Sequence, residues 1–277
     1  MMQSERRWAR DAVLETLATR AGDALAAYPL ILDDLSLGQP ISWAVVRDAA
    51  GRRALGTALT PVGECATSAE PCADLPSDWR DWPLAALPPR LMADHPLERC
   101  LALATVNAIA QHRLAREELA GVEQVAGRGH VVRWVAAQAA RRVVVIGNLG
   151  PLVAGLSAAG IPHVVFERHP HQRAGAWSDA QEWAWLEQAD GLILTGATLL
   201  NHTLAPLLAL ARTARFRVLV GFSAQAHPTF LAGCGLTHVF SVHVRQLERL
   251  RRALQIARWQ TLFEHETSYF ARIPSTE

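Results

Sequence analysis

The C-terminal half of this 277-residue chain is predicted to form a Rossmann-like α/β domain around a parallel sheet. Short, unbroken apolar runs such as RRVVVIG alternate with helical stretches from about residue 125 onward. Unbroken apolar runs indicate strands that are covered on both faces, and their alternation with helices indicates βαβ units. Four of these strands are followed by polar or glycine-bearing loops, at the edge where open α/β sheets bind ligands.

Five predicted strands define this sheet, and all have the short apolar character of buried strands. They lie at Val143–Gly147, His163–Glu167, Gly191–Thr195, Val218–Gly221 and Thr237–Val242. Helices are predicted before and between them, at residues 130–139, 151–160, 178–188, 199–213 and 225–232. Residues 243–268 predict a closing helix or helix pair with a solvated, arginine-rich face.

The N-terminal half is predicted to be a small α+β unit. Residues 4–28 carry apolar side chains at helical spacing. Residues 41–60 predict a hairpin around the turn Ala49-Ala50-Gly51. A second helix is predicted over residues 96–118, with Asp94 as its cap.

Two further segments of the N-terminal half predict irregular chain. Residues 61–93 are rich in Pro, Asp, Ser and Ala, and they predict a loop packed by Trp79 and Trp82. The stretch 121–130 is Gly-rich without a periodic apolar pattern, which indicates a linker. We therefore expect one domain over residues 1–122 and a second over residues 123–277.

The charge balance narrows the classes of function. All 27 basic side chains are arginine, so lysine Schiff bases, P-loop lysines and lysine general bases are excluded. The formal net charge of +1 offers no bulk attraction to nucleic acid or anionic lipid. The N-terminus lacks the apolar run of a signal peptide, and no window approaches a membrane span. We expect a cytoplasmic protein without nucleic-acid or membrane partners, and we leave homo-oligomerisation open.

The four cysteines form no CxxC pair. Cys65 and Cys72 lie together in a polar, Pro-containing stretch. In a cytoplasmic protein this pair is expected to stay reduced. Metal binding by the pair is the alternative interpretation.

The loop Gly147–Pro151 directly follows the first predicted strand of the sheet. Its glycines, Gly147 and Gly150, let the backbone approach a ligand, and a helix that starts at Pro151 directs free N–H groups toward it. The loop matches neither GxGxxG nor GxxxxGK[ST], so it lacks both phosphate-binding fingerprints. Contact with a ligand and a simple tight turn remain the two interpretations.

Glu167 ends the second predicted strand, twenty positions after Gly147. Nucleotide-binding Rossmann domains place an acidic residue here to accept ribose hydroxyls. The same carboxylate could ligate a metal or act as a base. The structural alternative is a strand-end glutamate paired with Arg168 or Arg173.

The third loop combines small and polar residues after the apolar strand GLILTG. Thr195 ends that strand, Gly196 allows close approach, and Thr198 is predicted to cap the following helix. Asn201 and His202 are predicted in its first turn, near the positive end of the helix dipole. A capping motif explains Thr198 better than it explains Asn201, so the amide is the stronger candidate for ligand contact.

The fourth loop, Gly221-Phe222-Ser223, also stands at a strand end. Its structural interpretation is a serine that caps the next helix. The four loops together carry more weight than any one of them, because they fall on the ligand-binding edge of an open α/β sheet.

Two histidines flank Pro170 in ERHPHQR, beside Glu167. With that carboxylate, His169 and His171 could hold zinc or a similar divalent heavy metal. A polar surface loop is the alternative, and it is favoured because two histidines on a loop fix no coordination geometry.

These residues resemble those of the putative heavy-metal chelation family. The stretches VVVIGNLGPLVAGL, VVFERHP, LTGATLLNHT and VLVGFSAQAHP, followed by GCGLTHVFSV, have the order and spacing of its Rossmann-like domain. The hairpin ending GTALTP and the helix segment LALATVNAIA are similar to its usual partner, an enolase-N-terminal-like domain. TGxTLxNxT is the most specific part, whereas Asn148 and Leu149 replace the aromatic or proline residues more usual in the family.

The resemblance implies a site in the cleft between the two domains. From the Rossmann-like half it implies Gly147, Pro151, Glu167, Thr195, Gly196, Thr198, Asn201, Gly221 and Ser223. From the N-terminal half it implies Asn107, in the VNA segment.

Three functional readings follow. The first is a protein that binds a small molecule, a metal or a metal chelate between its domains, with Glu167 and either His169 or His171 as metal ligands. The second is an enzyme that holds a nucleotide-like or S-adenosylmethionine-like cofactor, with Glu167 on the ribose. The third is a scaffold without a small ligand, against which the four loops argue. We prefer the first reading, with a divalent heavy metal as the expected cofactor.

Overall fold

The structure, a computed structural model, describes residues 11–61, 63, 82–117, 121–125, 129–260, 262 and 267–275. Within these ranges the chain builds an antiparallel sheet of three strands and a mostly parallel sheet of eight. The predicted fold class, a Rossmann-like sheet preceded by a small α+β unit, is confirmed. The predictions for Cys65, Cys72 and Trp79 fall outside the described residues.

The N-terminal half contains two helices and the three-stranded sheet, and the second helix packs on the sheet. The elements are α1 (Ala12–Ala27), β1 (Ile31–Ser36), β2 (Ile41–Arg47), β3 (Arg53–Leu59) and α2 (Pro96–Arg116). Strands β2 and β3 form the predicted hairpin. The sequence pattern missed β1, because this edge strand carries Asp33 and Asp34 and buries only Leu35.

Helix α2 starts one residue later than its predicted cap implied. The N-cap is His95, whose Nδ1 accepts a hydrogen bond from the backbone N–H of Leu97 at 3.2 Å. The prediction of Asp94 is wrong because Pro96 occupies the first helical position, which makes the preceding residue the cap.

The second sheet contains all remaining strands, with helices packed against it. Its strands are β4 (Val122–Val125), β5 (Val143–Ile146), β6 (His163–Glu167), β7 (Trp177–Ser178), β8 (Gly191–Thr195), β9 (Phe216–Val220), β10 (His238–His243) and β11 (Thr267–Arg272). Its helices are α3 (Gly129–Ala137), α4 (Gly150–Ala158), α5 (Trp183–Leu186), α6 (Leu204–Leu210) and α7 (Leu247–Gln255). The five predicted strands are thus all present.

The strand order is β4-β11-β10-β9-β8-β5-β6-β7. Strands β5 to β10 run parallel, whereas β11 and β4 are antiparallel additions at one edge. From β5 the chain moves outward to β6, and it later returns to place β8 on the other side of β5. This reversal is the switch point at which doubly wound sheets bind ligands, and Gly147 and Thr195 lie beside it.

The segment predicted as a linker contains a strand, and the segment predicted as a closing helix is only partly helical. Strand β4 lies within the predicted linker 121–130 and pairs with β11. The predicted helix 243–268 ends at Gln255, and β11 follows. Strand β4 was missed because it is an edge strand with two exposed positions, and its partner β11 lies far away in sequence. Tyr269 in β11 is fully buried and donates to the carbonyl oxygen of Ala226 at 2.9 Å.

Three predicted helices are shorter than expected. The segments 178–188 and 199–213 keep only α5 and α6, each preceded by a 3-10 turn. The segment 225–232 is a 3-10 turn over Pro228–Leu231. Pro228 is the first residue of this turn. Proline has no backbone N–H to donate to the carbonyl oxygen four residues earlier, so a helix starting near residue 225 is disfavoured.

The two halves share one continuous hydrophobic core. A single buried cluster runs from Val13 in α1 to Ile273 beyond β11. The halves are therefore packed as one body, and the division at residue 122 stays a prediction. Within the N-terminal half, strand β3 lies so close to α2 that a Cβ on Gly56 would overlap the backbone of Ala104 and Ala108. No helix within the described ranges is both long and apolar enough to cross a membrane.

Candidate functional site

The loops after β5 and β8 pack directly on each other at the carboxyl edge of the sheet. Gly147 has a φ of +92°, and a Cβ there would lie 2.7 Å from Cγ2 of Thr195. Both the dihedral angle and the space therefore require glycine. The predicted residues Gly147 and Thr195 are thus neighbours, while Gly150 and Pro151 are exposed at the start of α4.

Glu167 lies beside this pair, but its carboxylate is directed into the protein. The residue is 8% exposed. One carboxylate oxygen accepts the backbone N–H of Asn148 at 2.8 Å, and the other accepts that of His169 at 2.9 Å. Glu167 therefore ties the loop after β5 to the loop after β6.

The structural alternative for Glu167, pairing with a neighbouring arginine, is wrong in its partners. Arg173 donates from Nε to the backbone oxygen of Glu167 at 3.0 Å, not to the carboxylate. Arg168 lies 3.6 Å from Asp179. Both arginines therefore bind groups near the glutamate, whereas its carboxylate accepts hydrogen bonds from backbone N–H groups.

In the third loop the capping residue differs from the predicted Thr198. Thr195 is the N-cap of a 3-10 turn over Gly196–Leu199, and Thr198 donates its hydroxyl to the backbone oxygen of Thr195 at 2.7 Å. Asn201 and His202 precede α6, which begins at Leu204, so they do not lie in its first turn. A positive φ of 58° at His202 breaks the helix there.

Asn201 and Glu167 have separate hydrogen-bond partners. The side-chain oxygen of Asn201 accepts from the hydroxyl of Thr203 at 2.7 Å and from its N–H at 3.3 Å. This is a local turn, of the kind short amides form in place of a helix. The prediction that both residues line one ligand site therefore stays a prediction.

The fourth loop joins the two halves of the protein. A Cβ on Gly196 would lie 2.7 Å from the backbone carbon of Ser223, so these loops also touch. Ser223 Oγ accepts the N–H of Leu59 in β3 at 2.8 Å. Asn107, fully buried in α2, donates from Nδ2 to the backbone oxygens of Thr57 and Ser223 at 2.8 and 3.0 Å.

Sequence reasoning missed Gln225 at the same junction. Its side-chain oxygen accepts from the N–H and hydroxyl of Thr57 at 2.7 and 2.8 Å, and its amide donates to Val242 at 3.2 Å. The available signal in the sequence was an amide within the otherwise apolar and small-residue stretch SAQAHP. In the structure this amide is fully buried, and a buried amide needs hydrogen-bond partners. The residues predicted to face a cleft here instead fill the contact between the halves.

The metal prediction rests on Glu167, His169 and His171. His171 is exposed and His169 half-buried, while both oxygens of Glu167 are engaged by backbone amides. The described part of the chain contains no group of three or more His, Cys, Asp or Glu side chains placed to hold a metal ion.

A cavity of about 450 Å³ lies elsewhere along the junction. We call it the seam cavity. One wall comes from the end of α1 with Tyr28, a second from the last turns of α2, and the third from Thr229 and Phe230 of the Rossmann-like half. Its volume falls in the range of small-molecule sites, and both halves build it.

The seam cavity is rich in arginine. Arg20, Arg113 and Arg116 line it, against the carboxylates of Asp23 and Glu117. Arg113 binds Glu117 at 2.8 Å. Within the described ranges no carboxylate pairs with Arg20, which donates to the backbone oxygens of Thr229 and Ala232.

Arg116 is the most accessible of these cations. It is exposed, and its guanidinium lies 3.4 Å from the centre of the Tyr28 ring. No carboxylate of the described residues pairs with it. Stacking on an aromatic face holds a guanidinium in place without neutralising its charge, so the cavity presents a positioned positive group.

A buried acid–base pair backs the α2 wall of the seam cavity. His112 lines the cavity, and its Nε2 lies 3.1 Å from the carboxylate of Asp48. Burial raises the pKa of Asp48, but hydrogen bonds from Arg52 and His112 outweigh it and hold that pKa below its ordinary value. Burial lowers the pKa of His112, in spite of the carboxylate.

His227 is the second buried imidazole at the junction. Its Nδ1 accepts from the N–H of Thr229 at 3.3 Å, so the proton of the neutral ring lies on Nε2. Nε2 is 3.5 Å from the carboxylate of Glu117. Burial, with a smaller effect of Arg113, lowers the pKa of His227 to about 3.

We expect acid to destabilise the chain through His227. Between its ordinary pKa of 6.5 and about 3, the unfolded chain binds a proton that the folded chain excludes. The free energy of unfolding therefore rises with pH across this window, by up to about 1.4 kcal/mol per pH unit for one group. Thermal melts at pH 6.5, 5.5 and 4.5 measure the slope.

His227→Gln should reduce this slope, although the lowered pKa values of His112 and His238 keep part of it, and the exposed-residue control His171→Gln should leave it unchanged. Equal slopes in the wild type and in His227→Gln would contradict the assignment to His227.

Comparison with known proteins places this chain in a family. The sequence profile of DUF364, the family described as putative heavy-metal chelation, matches residues 131–270, and the chain belongs to that family. An uncharacterised protein of Methanocaldococcus jannaschii is 31% identical over 172 residues, which cover 61% of this chain and 63% of that protein. The match thus spans less than two thirds of that relative's length.

Two crystal structures of DUF364 proteins of unknown function have the same fold. The one from Pyrococcus horikoshii has a TM-score of 0.81 and 26% identity, and covers 94% of this chain and 100% of its own. The one from Desulfitobacterium hafniense has a TM-score of 0.73 and 21% identity, and covers 91% and 98%. The family resemblance found in the sequence is confirmed.

Proposed function

We propose that this protein binds a small, negatively charged molecule in the seam cavity, and that an anionic metal chelate is its ligand. The observation that carries the proposal is a cavity of about 450 Å³ with three arginines in its walls, built by both halves of the chain. The cavity lies between the halves, as the cleft implied by the family resemblance does, but it is lined by other residues than those the resemblance names.

The charges of the seam cavity support an anionic ligand over a bare cation. Three guanidiniums outnumber two carboxylates in its walls, and one carboxylate, Glu117, is already bound by Arg113. A bare divalent cation would meet net repulsion there. Carboxylate groups of a chelator would instead find planar guanidiniums, which bind carboxylates through paired hydrogen bonds.

A chelate also links the cavity to the family description. In this proposal the metal is cargo, and it arrives with the chelator's own ligands around it. The protein then supplies charge and shape, with Arg20 anchored to the opposite half and Arg116 held on Tyr28. No side chain of this chain needs to enter the coordination sphere.

The carboxyl edge of the sheet is the competing position for the ligand. Gly150 and Pro151 are exposed there, and Thr195 and Asn201 are half-buried. Gly147, Gly196, Thr198, Gly221, Ser223 and Asn107 would then shape the loops. In this second proposal Glu167, His169 and His171 would lie nearest the metal.

Replacing Arg116 by glutamine is expected to weaken binding of an anionic chelate about tenfold. The change removes a charge-assisted hydrogen bond from an exposed side chain and leaves the fold intact. Nickel–EDTA, a compact dianionic chelate, is a suitable probe in titration calorimetry. Free nickel ion and the cationic cobalt hexaammine complex should bind the wild type far more weakly.

Arg141→Gln is the matched control, because Arg141 is exposed and lies outside the seam cavity. It should bind nickel–EDTA like the wild type. An equal loss in both variants would mean that overall charge sets the affinity. Tighter binding of the free metal ion than of its chelate would overturn the proposal.

A further inference from the structure

A second cavity, of about 470 Å³, lies at the amino-terminal ends of the parallel strands, opposite to the carboxyl edge of the sheet. We call it the aromatic cavity. Trp134 of α3, His238 at the start of β10 and Phe270 of β11 line it, together with the arginines Arg133 and Arg272. Since β10 begins at His238, this is the amino edge of the sheet, away from the carboxyl-edge loops.

The aromatic rings in this cavity pack against one another. His238 and Phe270 are parallel within 7°, with ring centres 5.0 Å apart. The Trp134 ring is tilted by 56° to both, with its centre 4.5 Å from that of His238 and 5.2 Å from that of Phe270, and it meets Phe216 edge-on. Trp134 and His238 are only half-buried, so part of this aromatic surface faces the cavity.

The charged groups around the rings are mainly positive. Arg272 is the cross-strand partner of His238, and both arginines are exposed. No carboxylate of the described residues pairs with Arg133 or Arg272. The one acidic side chain in the lining, Glu123, is 66% exposed and lies 3.6 Å from His130. The guanidiniums therefore disfavour a cationic ligand, although aromatic rings often bind cations.

His238 contributes ring surface and no charge. Burial, with a smaller effect of Arg272, lowers its pKa to about 4. At neutral pH the imidazole is therefore uncharged, and it extends the aromatic surface of Trp134 and Phe270.

We infer that the aromatic cavity binds a flat aromatic carboxylate. The ring system of the ligand stacks against Trp134 and His238, since aromatic pairs favour offset or edge-on contact. Its carboxylate accepts hydrogen bonds from Arg272 and Arg133, whose planar guanidiniums match a carboxylate. This site is independent of the seam cavity and takes a different class of ligand.

The test uses the indole N–H resonance of Trp134, one of nine tryptophans in the chain. The resonance is identified in the ¹H–¹⁵N spectrum by its loss in Trp134→Phe. Titration with 2-naphthoate should shift it in a saturable way. The neutral 2-naphthalenemethanol lacks the carboxylate and cyclohexanecarboxylate lacks the aromatic ring, so each should bind at least about tenfold more weakly.

Arg272→Gln should weaken 2-naphthoate binding about tenfold, as expected for loss of a charge-assisted hydrogen bond. Arg141→Gln, which lies outside this cavity, should leave the affinity unchanged. The inference is overturned if millimolar 2-naphthoate leaves the Trp134 resonance in place. It is also overturned if either partial analogue binds as tightly, or if Arg272→Gln has no effect.

Discussion

Replacing Gly56 by alanine is expected to destabilise the protein by about 3 kcal/mol. A Cβ at this position would overlap the backbone of Ala104 and Ala108 in α2. Neither helix backbone nor strand can yield without moving Asn107, which holds Ser223 of the other half through its amide. Urea unfolding of the variant beside the wild type measures the change.

Gly22→Ala is the matched control for this prediction. Gly22 lies inside α1, and a Cβ there meets nothing within 4 Å. Alanine should therefore stabilise the helix by up to about 1 kcal/mol. If Gly56→Ala were as stable as the wild type, the close packing of β3 on α2 would be contradicted.

Replacing Glu167 by glutamine is expected to lower the free energy of unfolding by about 2 kcal/mol. In the wild type each carboxylate oxygen accepts a backbone N–H, from Asn148 and from His169. A glutamine amide must direct its NH₂ group at one of these donors and leave it without an acceptor.

Chemical denaturation of Glu167→Gln, with the exposed Glu123→Gln as control, tests this expectation. The control should change stability by less than about 0.5 kcal/mol. A Glu167→Gln protein of full stability would mean that its carboxylate is not a structural acceptor, and would favour the second proposal, in which Glu167 lies near the metal.

The parallel strands were predictable because a strand that is buried on both faces appears in the sequence as a short run of apolar residues. His163–Glu167 and Gly191–Thr195 are unbroken apolar runs, and β6 and β8 have those bounds. Strand β4 shows no such run, because it is an edge strand whose partner β11 lies more than 100 residues further along the chain. A pattern read within a window of ten to twenty residues cannot contain that pairing.

The candidate site was also only partly predictable from the sequence. The positions of Gly147, Glu167 and Thr195 at strand ends followed from the order of strands and helices. The hydrogen-bond acceptor role of Glu167 did not, because it depends on how the loop at Asn148 folds back. The seam cavity was not predictable either, since Arg20 meets Thr229 only through the packing of the two halves.

The location of the bound chelate tests the central claim most directly. Crystals of the wild-type protein soaked with nickel–EDTA would show the metal by its anomalous scattering. The proposed function predicts a nickel peak inside the seam cavity, with EDTA carboxylates on Arg116 and Arg20. A peak at the carboxyl edge beside Glu167 and His169, with the seam cavity empty, would contradict it.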